Sequence, residues 1–403
     1  MKKWLSLVAI VVLGLVLVIG AACGGEGEEE EEGVTELKYG IGLPLVGAYG
    51  AAVGLPTKYA FQLAAEKIGE FTVAGKQYRW KLIFEDNLGT AGGGYSAANK
   101  FVYDYNVDFM HQTLKDPGMA SLEICEAKGL LLGISACNFD DFSPDRPYIF
   151  QTSATWSLHA PAFFDWFTKE YPEVQRVSVV APDDNTGYSI GAAVRASAEH
   201  FGLQIVSEDY IPVEMVEMMP LANKIIGKNP DLFVGAMAAS LGDIYGIMVA
   251  MDYEGPAVYY YWTELGAERN GWDVCQGCLI FLPHPIGGIW DEVTAFREEY
   301  EDRYSIELTP SAIWASTVIY VLTDALEQAG TVDDIDRIIE TMETATFDTL
   351  FGPLYYGGEE FNDIGHVAIY PTPIYKVIGE QEYELLYMYS PEETEALAIE
   401  VFK

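Results

Sequence analysis

The stretch Arg176-Val-Ser-Val-Val-Ala-Pro-Asp-Asp-Asn-Thr-Gly187 opens the unit whose reading decides the fold. Residues 177–181 form a short apolar run, read as a buried strand. A polar turn follows, and then Ile190, Ala193, Val194, Ser197 and Phe201 recur at three- and four-residue spacing, which predicts one buried helix face. A second apolar run at 203–207 completes a strand–helix–strand unit. Strands joined through a helix run parallel, and continuous apolar strands belong to sheets covered on both faces.

The alternation extends in both directions. Downstream lie a helix with Leu221, Ala222, Ile225 and Ile226, a strand at 231–236, a helix with Ile244, Ile247, Met248 and Met251, and a strand at 257–261. Upstream the same order appears earlier: strand 37–43, a helix with Ala60, Leu63, Ala64 and Ile68, and strand 78–84. A helix with Ala97, Ala98, Phe101 and Val102, strand 107–110, a helix around 122–127 and strand 130–134 complete it. A pattern that occurs twice predicts an α/β protein of two doubly wound, Rossmann-like lobes joined by a hinge, with an interlobe cleft beyond the carboxyl ends of the strands. Function is then expected in the loops 44–50, 112–118, 135–139, 182–188, 236–240 and 262–266.

A length of 403 residues exceeds one ordinary core, and with 50% hydrophobic and 21% charged residues the chain has the composition of a globular protein. The 61 acidic against 23 basic residues give a net charge of -38, which repels phosphate backbones and excludes nucleic acid as a natural partner. The N-terminus points to export. Lys2 and Lys3 precede the uncharged segment 4–22, the small residues Gly20, Ala21 and Ala22 follow, and then comes Cys23. This resembles a bacterial lipoprotein signal over residues 1–22, with Cys23 as the lipidated first residue of the mature chain, although Gly20 stands where a large aliphatic residue is usual. A retained anchor helix is the other reading, since 4–22 would reach about 28 Å, close to the thickness of a bilayer core. Either way the body is extracytoplasmic and tethered, held off the membrane by the acidic Gly/Glu stalk of residues 23–35.

Five stretches carry a resemblance. They are Tyr39-Gly-Ile-Gly-Leu-Pro-Leu-Val-Gly-Ala-Tyr49, residues 69–86, Pro147-Tyr-Ile-Phe-Gln-Thr-Ser153, the stretch 177–187 and Phe347-Asp-Thr-Leu-Phe-Gly-Pro353. In this order the chain resembles, over about 36–390, the substrate-binding proteins of ABC importers. The likeness is to the branched-chain amino acid (Leu/Ile/Val) binding type with the type I periplasmic-binding fold.

The resemblance implies one lobe from 36–152 plus 285–350 and another from 153–284 plus 351–403. Three crossings would fall near 151–154, 283–286 and 349–353, with Pro283, Pro285 and Pro353 in or beside them. It implies a monomeric, non-enzymatic receptor without a cofactor or metal, delivering an amino acid or related small organic acid, aromatic acids included, to permease subunits. A receptor of the same fold that signals to a membrane partner is the alternative.

It also implies where the ligand sits. The carboxylate would be held in the loop at Leu114, Lys115 and Asp116, where the usual hydroxyl is missing and Lys115 offers a charge instead, and in the next loop at Ser135 and Ala136. Glu264 would accept the ammonium. Thr186 stands where relatives have a tyrosine, beside Tyr188, and Met237 lies in a loop of small residues that widens the floor. Tyr49, Trp156, Trp262 and Trp314 are available for stacking.

Other chemistry fits poorly. Gly187-Tyr188-Ser189-Ile190-Gly191 has the pattern of a hydrolase nucleophile elbow, but five residues separate it from the strand, whereas an elbow needs a sharp turn directly off it. Gly40-Ile-Gly42 lacks the third glycine of a dinucleotide site at the right spacing. Asp141, Ser143 and Asp145 begin like a calcium loop, yet Arg146 and Thr152 occupy the required glycine and glutamate positions. Cys125, Cys137, Cys275 and Cys278 are open to two readings, local disulfides or buried thiols; Cys275-Gln-Gly-Cys278 alone supplies two of the four ligands of a zinc site.

Overall fold

The computed structural model describes residues 33–135, 138–212, 215–236, 243–286 and 288–403. The signal, Cys23, Ala136, Cys137 and Met237 lie outside the described residues. No helix among the described residues is long and apolar enough to cross a membrane.

The first lobe is built on a six-stranded sheet of β1 (Thr35–Leu43), β2 (Glu70–Val73), β3 (Lys76–Asp86), β4 (Phe109–Gln112), β5 (Leu132–Ile134) and β6 (Ile149–Gln151). Their order is β2-β3-β1-β4-β5-β6, and all neighbours are parallel except the β2–β3 hairpin. Ala74 and Gly75, both at positive φ, make that hairpin's turn. Tyr39, Ile41 and Leu43 bury one face of β1 beneath helix Leu55–Ile68, while Gly40 lets the ring of Phe101 close on the other.

The second lobe holds β7 (Arg176–Pro182), β8 (Gln204–Ile211), β9 (Leu232–Ala236), β10 (Ala257–Tyr261) and β11 (Leu279–Phe281). A small antiparallel sheet of β12 (Thr346–Thr349), β13 (Gly352–Gly357) and β14 (Val367–Ile369) comes next, and then β15 (Thr372–Gly379) and β16 (Glu382–Tyr389). The latter two extend the second sheet antiparallel to β11, giving the order β16-β15-β11-β10-β9-β7-β8. The doubly wound reading therefore holds for both lobes, and β10 has the bounds expected of it.

The chain leaves the first sheet after β6 and the second sheet after β11. The third passage differs. Residues 352–369 pack with helix Ile335–Thr344 and β6, and the amide of Gln151 donates to the carbonyl of His366 at 2.9 Å. The expected boundary at 350 thus falls inside a hairpin that belongs with the first lobe, and the chain crosses at 370–371, between β14 and β15. Turn residues such as Gly352 and Pro353 mark a hairpin as readily as a crossing.

Four buried histidines lie at or near these passages, and burial lowers the pKa of His366, beside the third, to about 4. His159 meets the hydroxyl of Thr372 at 2.6 Å, tying the first passage to the third. His284 accepts from the amide of Trp262 at 3.0 Å and donates to the carbonyl of Leu282 at 2.9 Å. His111 lies between the hydroxyls of Thr113 and Thr152. Burial lowers their pKa values from 6.5, to about 3 for His111 and His159 and to about 4 for His284. A depressed histidine contributes full stability above about pH 6.5, where both states are neutral. That contribution is lost as pH falls toward 3 to 4, because the unfolded chain takes up the proton first. The unfolding midpoint in urea should therefore decline between pH 6.5 and 4.5. In His159→Asn the decline should be shallower, by up to ~1.4 kcal/mol per pH unit; equal slopes would show that His159 is not buried as a neutral base.

Cys125, Cys275 and Cys278 are buried free thiols, and burial pushes Cys275 up to about 12. No trio of His, Cys, Asp or Glu side chains among the described residues is placed to hold a metal.

Candidate ligand site between the lobes

A cavity lies between the lobes beyond the carboxyl ends of the strands, where the twofold pattern placed it. From the first lobe come Tyr49, Ala52 and Val53 after β1, Thr113 and Leu114 after β4, Ser135 after β5, and Ser311, Trp314 and Ala315 from helix Pro310–Ala329. From the second come Pro182 ending β7, Thr186 and Ile190 after it, Ala236 ending β9, and Tyr260 and Tyr261 ending β10. Ser153, Ala154 and Trp156 line it from the first passage.

Close backbone approach sets these walls. Helix Asn185–His200 starts against the end of β7, and a Cβ on Gly187 would stand 1.8 Å from the carbonyl oxygen of Pro182. The first lobe repeats the device, since a Cβ on Gly54 would stand 1.5 Å from the carbonyl oxygen of Pro44. Glycine is required at both places. Asp184 caps the second-lobe helix through the amide of Gly187 at 2.8 Å.

The rings form a connected wall. Trp156 meets Tyr260 edge to face at 5.1 Å and Trp314 at 6.2 Å; Trp314 meets Tyr261 at 6.4 Å. Three of their four polar ends are spent on the protein. Tyr260 donates to the carbonyl of Val180 at 3.2 Å, Tyr261 pairs with the hydroxyl of Ser311 at 2.6 Å, and the indole N–H of Trp314 donates to the carbonyl of Pro283 at 2.6 Å. The wall thus offers ring surface, interrupted by the hydroxyls of Thr113, Ser135, Ser153 and Thr186. None of the described lining residues is an acid, a base or a histidine. The adjoining segments 136–137 and 237–242 contain no Asp, Glu, Lys, Arg or His in the sequence.

Of the residues singled out from the sequence, Tyr49, Ser135, Trp156 and Thr186 come together here, with Trp314. The others lie elsewhere. Lys115 forms an ion pair with Asp141 at 2.8 Å, and Asp116 accepts from Asn185 of the other lobe. Tyr188 is half exposed and donates to Asp183. Trp262 is buried, its indole N–H donating to Tyr383 at 3.0 Å. Glu264 is paired with Arg297 at 2.6 Å and accepts from Tyr383 at 3.2 Å, beside a separate hollow. Ser189 sits inside its helix, donating to the carbonyl of Asn185 at 2.8 Å, so it is not at an elbow.

Tyr260 and Tyr261 were missed, although the run Tyr259-Tyr-Tyr261 at the end of a predicted strand was a usable signal. Ser153 and Ser311 had none, because each is placed by a passage or helix start that only the tertiary fold defines.

Residues 36–380 match the family described as periplasmic binding protein. The chain belongs to that family. Solved periplasmic and solute-binding proteins share its fold. A solute-binding protein of an ABC transporter from Rhodopseudomonas palustris BisB5, in complex with 3,4-dihydroxybenzoic acid, superposes with a TM-score of 0.74 at 18% identity, covering 88% of this chain and 98% of its own. A leucine-binding protein from Thermotoga maritima gives 0.71 at 17%, covering 88% and 99%. A Rhodopseudomonas palustris solute-binding protein in complex with benzoate gives 0.73 at 16%, covering 88% and 97%. Identities this low establish the fold alone. No curated protein matches the chain by sequence. As a periplasmic binding protein, the chain has its cavity where such a fold closes on a solute.

Proposed function

We propose that this periplasmic binding protein is the extracytoplasmic receptor of an ABC importer and that its ligand is an aromatic carboxylic acid lacking an ammonium group. The observation that carries the reading is the uncharged, ring-lined cavity. An amino acid would bring a buried ammonium into a wall with no carboxylate to meet it, a cost of several kcal/mol for an unpaired ion. A flat ring instead finds the rings of Tyr49, Trp156, Tyr260, Tyr261 and Trp314 in the lining. Its carboxylate would meet the hydroxyls of Ser135, Ser153 and Thr186 and the first-turn amides of helix Lys115–Lys128, whose start borders the cavity. The solved relatives with benzoate and 3,4-dihydroxybenzoate support this class, and the leucine-binding relative supports the competing one. Delivery to a permease, with the receptor tethered through lipidated Cys23 and acting as a monomer without catalysis, completes the reading.

A thermal-shift screen tests it. Benzoate, 4-hydroxybenzoate and 3,4-dihydroxybenzoate are compared with leucine, valine and phenylalanine. A true ligand at a hundred times its Kd stabilises the fold by ~2.7 kcal/mol, a shift of several degrees. The benzoates should raise the melting temperature and the amino acids should not. The opposite pattern overturns the assignment and requires an ammonium acceptor at the cavity.

A further inference from the structure

Behind the cavity wall, three side chains of the first lobe share one buried hydrogen-bond path. His111 lies in β4, between Ile41 of β1 and Gly133 of β5, and is fully buried with its ring edge to face on Phe61. A Cβ on Gly133 would stand 3.2 Å from Nδ1 of His111 and 2.7 Å from Cγ2 of Thr152, so the missing side chain is what lets the ring and the threonine meet. Nε2 lies 3.1 Å from the hydroxyl of Thr113, and Nδ1 lies 3.5 Å from that of Thr152. Thr113 follows β4 directly and lines the cavity. Its backbone is pinned, the amide donating to the carbonyl of Gly42 at 3.0 Å and the carbonyl accepting from Asn87 at 3.0 Å.

A count of protons orients this path. Burial keeps the imidazole neutral, so it carries a single N–H. Ring and hydroxyls then hold three protons, and the two contacts can place only two of them. Among the described residues neither hydroxyl has another partner. Were Nδ1 the donor, the leftover proton would sit on Thr152, which is buried and reaches no other acceptor, and an unsatisfied buried donor is costly. With Thr152 donating to Nδ1 and Nε2 donating to Thr113, the leftover proton sits on Thr113, at the cavity, where a ligand can accept it.

We propose that His111 is a positioning residue for the ligand: its Nε2–H occupies a lone pair of Thr113 and thereby turns the Thr113 hydroxyl proton toward the ligand's carboxylate. It rests on the ligand being a carboxylic acid. The opposite tautomer would consume that proton and leave Thr113 presenting a lone pair, which repels a carboxylate. In a wall without a cation, the direction of each hydroxyl decides whether an acid or a neutral molecule is held.

The tautomer is read on ligand-free protein enriched in nitrogen-15 histidine. Only five histidines contribute, and the signals lost in His111→Gln are those of His111. Nε2 should be protonated and Nδ1 bare; the reverse overturns the proposal whether or not benzoate binds. Calorimetry with benzoate tests the consequence. Thr113→Val and His111→Leu should each weaken binding about tenfold, the scale of a hydrogen bond to a charged group, while His111→Gln, whose amide can still donate, should stay within about threefold of the parent. The double variant Thr113→Val, His111→Leu should lose no more than Thr113→Val alone, because both act through one hydroxyl. Circular dichroism checks that each variant is folded. Additive losses, or a Thr113→Val protein that binds like its parent, overturn the proposal. Should leucine bind in place of benzoate, the aromatic reading fails, and the same variants are titrated with leucine, whose carboxylate needs the same donor.

Discussion

Gly187→Ala should lower stability by at least ~2 kcal/mol and weaken ligand binding at least tenfold, the scale of overpacking against groups that cannot yield. The new Cβ would meet three backbone atoms of Pro182, its carbonyl oxygen at 1.8 Å, carbon at 2.7 Å and nitrogen at 2.9 Å. A flexible side chain could swing away, but the end of a central strand cannot. The helix start must therefore move outward. It carries Thr186 and Ile190 away from the cavity, and it pulls Asp184 from the hydroxyl of Tyr49 and Asn185 from Asp116, two hydrogen bonds that join the lobes. Gly92→Ala is the control, because a Cβ there meets nothing within 4 Å and the helix gains from alanine. Urea unfolding and titration with whichever benzoate passes the screen give both numbers. A Gly187→Ala protein as stable as its parent would mean that the helix does not rest on the strand end.

The same glycine shows what the sequence could and could not tell. In Gly187-Tyr-Ser-Ile-Gly191 it carried the pattern of a catalytic elbow, and its real reason is the carbonyl of Pro182, invisible until strand and helix are packed. The alternation itself was legible because buried parallel strands such as Leu232–Ala236 and Ala257–Tyr261 are apolar throughout, while their helices show a repeating apolar face. The antiparallel additions were not. In β16 only Tyr389 is buried, and Leu385 and Tyr387 are exposed, so the strand breaks the usual alternation.

At the site, the loops after β1, β4, β5 and β7 meet at one cavity, which brings Tyr49, Ser135 and Thr186 together with Trp156, whereas the expected loop 262–266 lies outside its lining. Charge roles did not follow. Glu264 had the right place after a strand to face an ammonium, but its partner Arg297 stands 33 residues away on the other lobe. Lys115 is likewise neutralised by Asp141, which no local pattern couples to it. Whether a loop charge meets a ligand or another loop is decided by the tertiary neighbours.

Trp314→Ala should produce the other large effect. Trp314 is buried on helix Pro310–Ala329 of the first lobe, donates to the carbonyl of Pro283 in the second passage, and packs edge to face with Trp156, Tyr261 and His284. It thus joins a lobe, a hinge segment and the cavity wall. Truncation removes a large buried ring, which costs ~3–5 kcal/mol, and strips the acceptor at Pro283 of its donor. Trp314→Phe separates the two contributions, because it keeps most of the ring surface and loses only the N–H. The phenylalanine variant should lose ~1–3 kcal/mol, the cost of an unsatisfied buried carbonyl, and bind benzoates within about tenfold of the parent. The alanine variant should lose binding by more than a hundredfold, since the neighbouring rings at Trp156 and Tyr261 no longer have a surface to pack on and the hinge carbonyl is free to shift. Calorimetry of both variants decides the matter: equal losses of affinity would mean that the hydrogen bond to the hinge, and not the ring, holds the wall in place.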